Sequence, residues 1–241
     1  FITIYFEKVF DNLLIIIIMK KEDIIMKTNI FEKAMNAYVE VMNTAKEMFK
    51  VHQDALESEG KQFSVRVALN QLDVIIQYSM LQIALNDNKL DKNEVLFIKT
   101  MSQYCDFCDF LNQCGYKNVT WDVIYNSDEQ VLKQILKETL ESVISLSNDF
   151  IKVFSLIDAM IKERNYLEIL YNDFCSIIAA VMQADGKVYK EELSRGCLLV
   201  DLINVISEQK EEAENDIKAN KEKLNNKIAL KNYYINKNNQ C

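Results

Sequence analysis

The stretch that decides the fold is IALNDNKLDKNE, residues 83–94, because a related stretch, VMQADGKVYKEE, occupies residues 181–192. Aspartate, two lysines and glutamate hold the same offsets in both copies, and each copy closes a long apolar segment. An element that recurs after 98 residues indicates an internally duplicated architecture. The chain is therefore expected to contain two related helix–turn–helix units.

The composition favours helices joined by short turns. The 241 residues include no proline and four glycines, while 49% are hydrophobic and 27% are charged. Residues that break or bend helices are thus rare, and the apolar content is sufficient for a buried core. From Thr28 onward, apolar residues recur in three- and four-residue steps, as on one face of a helix. We therefore predict an all-α, internally duplicated helical bundle of about seven to nine helices.

The same pattern divides the chain into three parts. Residues 26–207 are predicted to form a helical domain, and its two repeats are expected at residues 64–110 and 160–207. Residues 208–241 are highly charged and are expected to form a solvated terminal helix or tail. Within the domain, the sequence predicts a third helix from Lys92 to Cys105 and an irregular connection over residues 106–120. N-caps are expected at Thr120 and Ser127. Two helices are expected over residues 128–162, with a break near residues 146–148.

Residues 1–25 are expected to be an upstream, non-structural segment or a leader. Phe1 is not an initiator residue, so translation is expected to start at Met19 or Met26. The apolar run Leu13–Ile18 is too short to span a bilayer. If any part of the chain touches a membrane, we expect it to be residues 1–18.

Charge and motif content exclude several classes of protein. The net charge of −8 offers no clustered basic face for nucleic acid. Six cysteines without a secretory signal indicate free thiols in a reducing cytoplasm. Nucleophile-elbow, phosphate-loop and zinc-protease motifs are absent from the sequence, so no catalytic residue is predicted. An enzyme that uses the carboxylates as acid and base is disfavoured, since nothing supplies substrate recognition.

The two motifs are expected to form tight turns between helices. Asn88 and Gly186 are the residue types that best tolerate the left-handed conformation that ends a helix. Asp91 suits an N-cap, and Glu94 lies three residues later, where it can close a capping box. Capping alone would explain the first copy. It explains the second copy less well, since Tyr189 stands where the capping aspartate would be.

A shared cation site is the second interpretation of these residues. Four carboxylates held close together repel one another unless a cation compensates their charge. Calcium accepts six to eight oxygen ligands, so calcium is the cation that we expect, although neither copy fits an EF-hand loop. Asp91 and Glu191 are peripheral candidates. The predicted ligands are Asp87, Glu94, Asp185 and Glu192.

An apolar helix that runs into Ala184-Asp185-Gly186-Lys187-Val188, with glutamate seven residues after the aspartate, resembles the TerB-like family named for tellurite resistance. Residues 85–94 resemble the matching element of that family's first half. The resemblance implies a duplicated helical bundle, an acidic metal-binding surface, a protein partner and a non-enzymatic role in stress response. Its acidic positions carry over onto Asp87 and Glu94, and onto Asp185 and Glu192. A metal-free helical scaffold that binds proteins is the alternative.

Cys105, Cys108 and Cys114 are candidates for a zinc or iron–sulfur site. A fourth ligand would have to come from a distant cysteine, because the sequence has no second CxxC motif and His52 is its one histidine. Cysteine at the end of an amphipathic helix is more often a small buried apolar residue. We therefore expect these thiols to pack rather than to bind metal.

Overall fold

The computed structural model describes residues 25–58, 62–85, 90–160, 166–184 and 198–238, together with Gly60. Within these residues the protein is all-helical, without a β-strand, which confirms the predicted fold class. The internal duplication stays a prediction. The eight helices of the described part are α1 Ile25–Ser58, α2 Val65–Ala84, α3 Lys92–Thr100, α4 Phe107–Gln113, α5 Trp121–Asn126, α6 Glu129–Met160, α7 Tyr166–Gln183 and α8 Leu198–Asn238.

Helix α2 lies at the centre of the bundle and contacts α1, α6, α7 and α8. Ser64 caps its first turn by accepting a hydrogen bond from the Val67 N–H, and nearly every residue from Ala68 to Ala84 is buried. A helix that is apolar over most of its circumference needs neighbours on all sides. Helix α7 has the same character, and the two helices pack directly against each other.

Helices α1 and α2 run in opposite directions. Phe49, near the end of α1, packs against Phe63, which precedes α2, with ring centroids 5.9 Å apart. Tyr38, earlier in α1, bonds to Asp73, which lies further along α2. As the residue numbers rise along α1, those of its contacts on α2 therefore fall.

Helix α6 also runs opposite to α2. The Phe49 ring that contacts Phe63 lies 6.3 Å from that of Phe150, so the later part of α6 is beside the start of α2. At the other end, the Tyr78 hydroxyl of α2 donates to the Leu136 carbonyl of α6 at 2.9 Å. The start of α6 is therefore level with the end of α2.

Helices α2 and α7 run in the same direction. Asp158, at the end of α6, accepts a hydrogen bond from the N–H of Tyr166, the first residue of α7, so α7 starts where α6 ends. Further along α7, Asp173 lies close enough to Glu40 of α1 for the negative charge of Glu40 to act on it. Helix α7 thus returns along the bundle beside α2. Both helices end on the same side of the molecule, at Ala84 and Gln183.

The first third of α8 is docked on the bundle. Leu199, Leu202, Ile203 and Ile206 are buried, and the Ser155 hydroxyl of α6 donates to the Ile206 carbonyl at 3.2 Å. Lys210 then forms an ion pair of 2.7 Å with the buried carboxylate of Asp158. Residues 211–220 are mostly exposed, and the helix continues to Asn238.

Four local expectations were wrong. Helix α4 occupies part of the connection expected to be irregular, because Asp106 caps it and Phe107, Phe110 and Leu111 are buried. Helix α3 correspondingly ends at Thr100 rather than Cys105. Helix α6 is unbroken near Ser147, whose hydroxyl bonds within the helix to the Ile144 carbonyl. Ser127 ends α5 instead of capping α6; the side chain of Asp128 accepts from the Gln130 N–H.

Thr120 is the N-cap of α5, as predicted, and accepts from the Val123 N–H. In the described part of the chain, none of the helices combines the length and the apolar character that crossing a membrane requires. Residues 1–24 of the proposed leader, residues 1–25, lie outside the described residues, and Ile25 is the first residue of α1.

Candidate functional site

The first acidic motif, residues 83–94, is called the first acidic hairpin below. It contains the capping box that the sequence predicts. Asp91 has an extended backbone, with φ −85° and ψ 151°, and its Oδ1 accepts from the Asn93 N–H at 2.7 Å. Glu94 completes the box, because its Oε2 accepts from the Asp91 N–H at 2.7 Å. Each side chain thus binds a backbone donor that the first turn of α3 leaves without a partner.

Glu94 is buried, since only 1% of its surface is exposed. A glutamate is seldom buried unless its charge is compensated, and the positive end of the α3 dipole is favourable for it. The protein therefore holds this carboxylate in a fixed position beside the hairpin. Such a group can serve as a cap, as a metal ligand, or as both.

The other predicted ligands, Asp87, Asp185 and Glu192, and the peripheral candidate Glu191 lie outside the described residues. The four-carboxylate site therefore stays a prediction. Of the residues that are described, no three among the histidines, cysteines, aspartates and glutamates form a group that could hold a metal ion. Ala84 and Gln183, the last residues of α2 and α7, lie three and two residues before Asp87 and Asp185 respectively.

Asp73, on α2, is the centre of a buried polar cluster that the sequence analysis missed. Its Oδ1 accepts from the Tyr38 hydroxyl at 2.6 Å. Its Oδ2 accepts from the N–H groups of Tyr104 at 2.5 Å and Cys105 at 3.0 Å. Burial raises the pKa of Asp73, and the hydrogen bonds from Tyr38 and from the backbone oppose that rise. Both carboxylate oxygens thus have partners.

Gln77 binds the same connecting segment one helical turn later. Its Nε2 donates to the Cys105 carbonyl at 2.8 Å, and its Oε1 accepts from the Phe107 N–H at 3.0 Å. Together with Asp73, it fixes residues 101–107 against α2 and so fixes the end of α3. The sequence did contain a signal: Asp73 and Gln77 lie four residues apart and enclose the apolar run Val74-Ile75-Ile76.

Asp173, on α7, is the second carboxylate that sequence reasoning missed. Its Oδ2 is buried and has no hydrogen-bond partner among the described residues. Burial, and then the negative charge of Glu40 on α1, raise the pKa of Asp173 to about 7. This carboxyl group is therefore poised to exchange a proton near neutral pH.

The cysteines that the structure describes do not form a metal site. Cys105, Cys108 and Cys114 are described, are free thiols, and are not gathered as a metal-binding group. Burial raises the pKa of Cys105 to about 11 and that of Cys108 further, so both stay protonated. The aromatic ring of Phe63 packs edge-on against His52 at 4.9 Å, which indicates a packing role for the histidine.

A shallow cleft of about 280 Å³ lies among α3, α4 and α5 and includes Lys99, Asp109 and Asp122 in its lining. A third acid in this lining, Asp106, is already engaged. It caps α4 through the Cys108 N–H and accepts from the Trp121 indole N–H at 2.8 Å. The cleft therefore combines charges of both signs and offers no convergent set of ligands.

No protein-family model, curated protein or solved structure matches this chain. The resemblance to the TerB-like family consequently depends on the two acidic motifs alone. Function has to be argued from the geometry of the chain itself.

Proposed function

We propose that this protein is a non-enzymatic, TerB-like helical module that binds a divalent cation, calcium by preference, and a protein partner in a stress response such as tellurite resistance. The ligands would be Asp87, Glu94, Asp185 and Glu192. One observation carries the proposal: the two helices that lead into the acidic motifs lie side by side, run in the same direction and end on the same side of the bundle.

The ends of these helices are level with each other. Asp73 of α2 and Asp173 of α7 both lie beside the middle of α1, near Tyr38 and Glu40 respectively. Helix α2 continues for about 16 Å and α7 for about 15 Å beyond those points, at 1.5 Å per residue. Packed helices are about 8–10 Å apart, so the two acidic segments start within a distance that one hydrated cation could bridge.

The burial and the fixed position of Glu94 support the same proposal. Its carboxylate is buried and held at the hairpin by the Asp91 N–H, so little side-chain entropy would be lost on binding an ion. Residues 211–220 of α8 support a protein partner, because they are charged and mostly exposed and so form a helical surface that the bundle does not cover.

A metal-free scaffold is the competing function, and the capping box favours it. Asp91 and Glu94 satisfy two backbone donors without any ion, so their presence does not require one. A scaffold would be indifferent to chelator but would lose its partner when the exposed part of α8 is removed.

Thermal unfolding of the full chain in calcium, magnesium, manganese or chelator separates these functions. At a concentration 100 times the dissociation constant, a bound ion stabilises the fold by about 2.7 kcal/mol. That corresponds to a rise in Tm of about 5 °C or more for a chain of this size. Asp185→Asn should abolish the rise. A control, Asp122→Asn on an exposed site of α5, should keep it.

Two results would contradict the cation site. The first is a Tm that no ion changes, which would favour the metal-free scaffold. The second is a calcium-dependent rise that survives Asp185→Asn, which moves any ion elsewhere in the molecule.

A further inference from the structure

The contact between α1 and α7 is the most extensive helix pairing in the described part of the molecule. Asp173 lies in this contact, which we call the α1–α7 seam, and its Oδ2 is buried without a hydrogen-bond partner among the described residues. Glu40 approaches it from α1. Asp173 is partly buried and Glu40 is exposed, so the two acidic side chains meet at the solvent-facing edge of the seam.

No described cation compensates this pair. Glu40 is the side chain whose charge acts on Asp173, and none from the described parts of α2, α3, α6 or α8 adds to it. The charged residues of α2 are Arg66, which is exposed, and Asp73, which the α3–α4 connection encloses. Lys210 of α8 is bonded to Asp158. The seam can therefore be neutralised by a proton more readily than by a neighbouring side chain.

We propose that the α1–α7 seam is a proton-controlled contact, which is closed when the Asp173–Glu40 pair carries a proton and loosened when both carboxylates are ionised. An ionised Asp173 would bury a charge beside a like charge, which costs free energy in the closed state alone. Loosening α1 would expose the carboxylate to water and remove that cost.

The direction of the pH effect follows from Asp173. Its pKa in the folded protein, about 7, lies above its ordinary value, because burial and then Glu40 disfavour the charged form. A group with a raised pKa contributes stability that is present at acidic pH and lost as the pH rises through the folded value. The seam should thus weaken as the pH rises from about 4, near the ordinary pKa of aspartate, to about 7, and change little above that.

Helix α1 connects the seam to the rest of the fold. Tyr38 lies two residues before Glu40 and bonds to Asp73 and to the Gln103 N–H. Movement of α1 at Glu40 would therefore strain the cluster that fixes the end of α3. The seam goes beyond the proposed cation site, since it involves neither acidic hairpin.

The test compares the full chain with Asp173→Asn, which has the same shape without the charge, from pH 5.5 to 8.5 in chelator. The difference in Tm, variant minus wild type, should rise by about 3 °C or more across this range. Glu40→Gln should change in the same direction by less. Glu32→Gln, at an exposed site of the same helix, is the matched control and should stay parallel to wild type.

Parallel curves for Asp173→Asn and wild type would overturn the proposal. A second measurement covers a variant that fails to fold: the carboxyl ¹³C signal of Asp173 in the wild-type protein should titrate near pH 7, and at lower pH in Glu40→Gln. Titration of the wild-type signal at the ordinary value for aspartate would also overturn it. Because chelator is present throughout, neither result depends on the proposed cation site.

Discussion

Asp73 and Asp173 occupy similar places in the bundle but have opposite environments. Each lies on an apolar helix, α2 or α7, and each faces the middle of α1. Asp73 accepts three hydrogen bonds from Tyr38 and the backbone, whereas Asp173 has a buried oxygen without a donor and a glutamate nearby. Burial raises the pKa of both carboxyl groups. The donors make Asp73 a structural residue, and their absence leaves Asp173 sensitive to pH.

The largest expected effect comes from the same substitution at both positions. Asp73→Leu leaves two backbone N–H groups and the Tyr38 hydroxyl without their acceptor, which should cost about 3–5 kcal/mol in the free energy of unfolding. Asp173→Leu removes a buried carboxylate and orphans no donor, so at pH 8 it should cost less than about 1 kcal/mol. Urea unfolding of both variants measures the difference. Equal costs would show that the two sites are not distinguished by their donors.

A smaller effect isolates one bond of the Asp73 cluster. Tyr38→Phe keeps the ring but removes the hydroxyl that donates to Asp73 and accepts from the Gln103 N–H. The loss should be about 1–3 kcal/mol, because a buried backbone donor is left unpaired. Tyr78→Phe is the control. Its buried hydroxyl donates to the Leu136 carbonyl and accepts from the Gln82 side chain at 3.5 Å, but no backbone N–H depends on it, so the loss should be about 1 kcal/mol. A Tyr38→Phe cost no larger than that of Tyr78→Phe would contradict the view that the Gln103 N–H depends on the Tyr38 hydroxyl.

The sequence predicted three of the long helices, but it missed the short helix α4 and the continuity of α6. Helices α1, α2 and α7 were predictable because their apolar periodicity is uninterrupted and Ser64 and Gly60 mark a boundary. Helix α4 was not, because seven residues carry little periodic signal and its stability comes from tertiary burial of Phe107 and Phe110. The partners of Asp73 lie about 30 or more residues away along the chain, so no local pattern reveals them.

The candidate site also has one part that the sequence predicts and one part that it cannot. The capping box of Asp91 and Glu94 spans four residues, so spacing alone predicted it and the structure confirms it. Whether Glu94 also meets the carboxylates of the second motif depends on the relative placement of two segments 98 residues apart. The shared direction of α2 and α7 supports that meeting, but local sequence could not have supplied it.

The smallest expected effect concerns the hairpin that follows α2. Substitutions there distinguish the role of Asp91 from that of Glu94. Asp91→Ala should cost about 1 kcal/mol through the lost cap, with calcium and with chelator alike. Glu94→Gln should barely change stability in chelator, because a glutamine oxygen can still accept from the Asp91 N–H in a capping box. With calcium, however, it should lose most of the rise in Tm, since the charge that binds the ion is gone. If thermal unfolding shows the same calcium-dependent rise in Glu94→Gln as in wild type, Glu94 is a cap and nothing more.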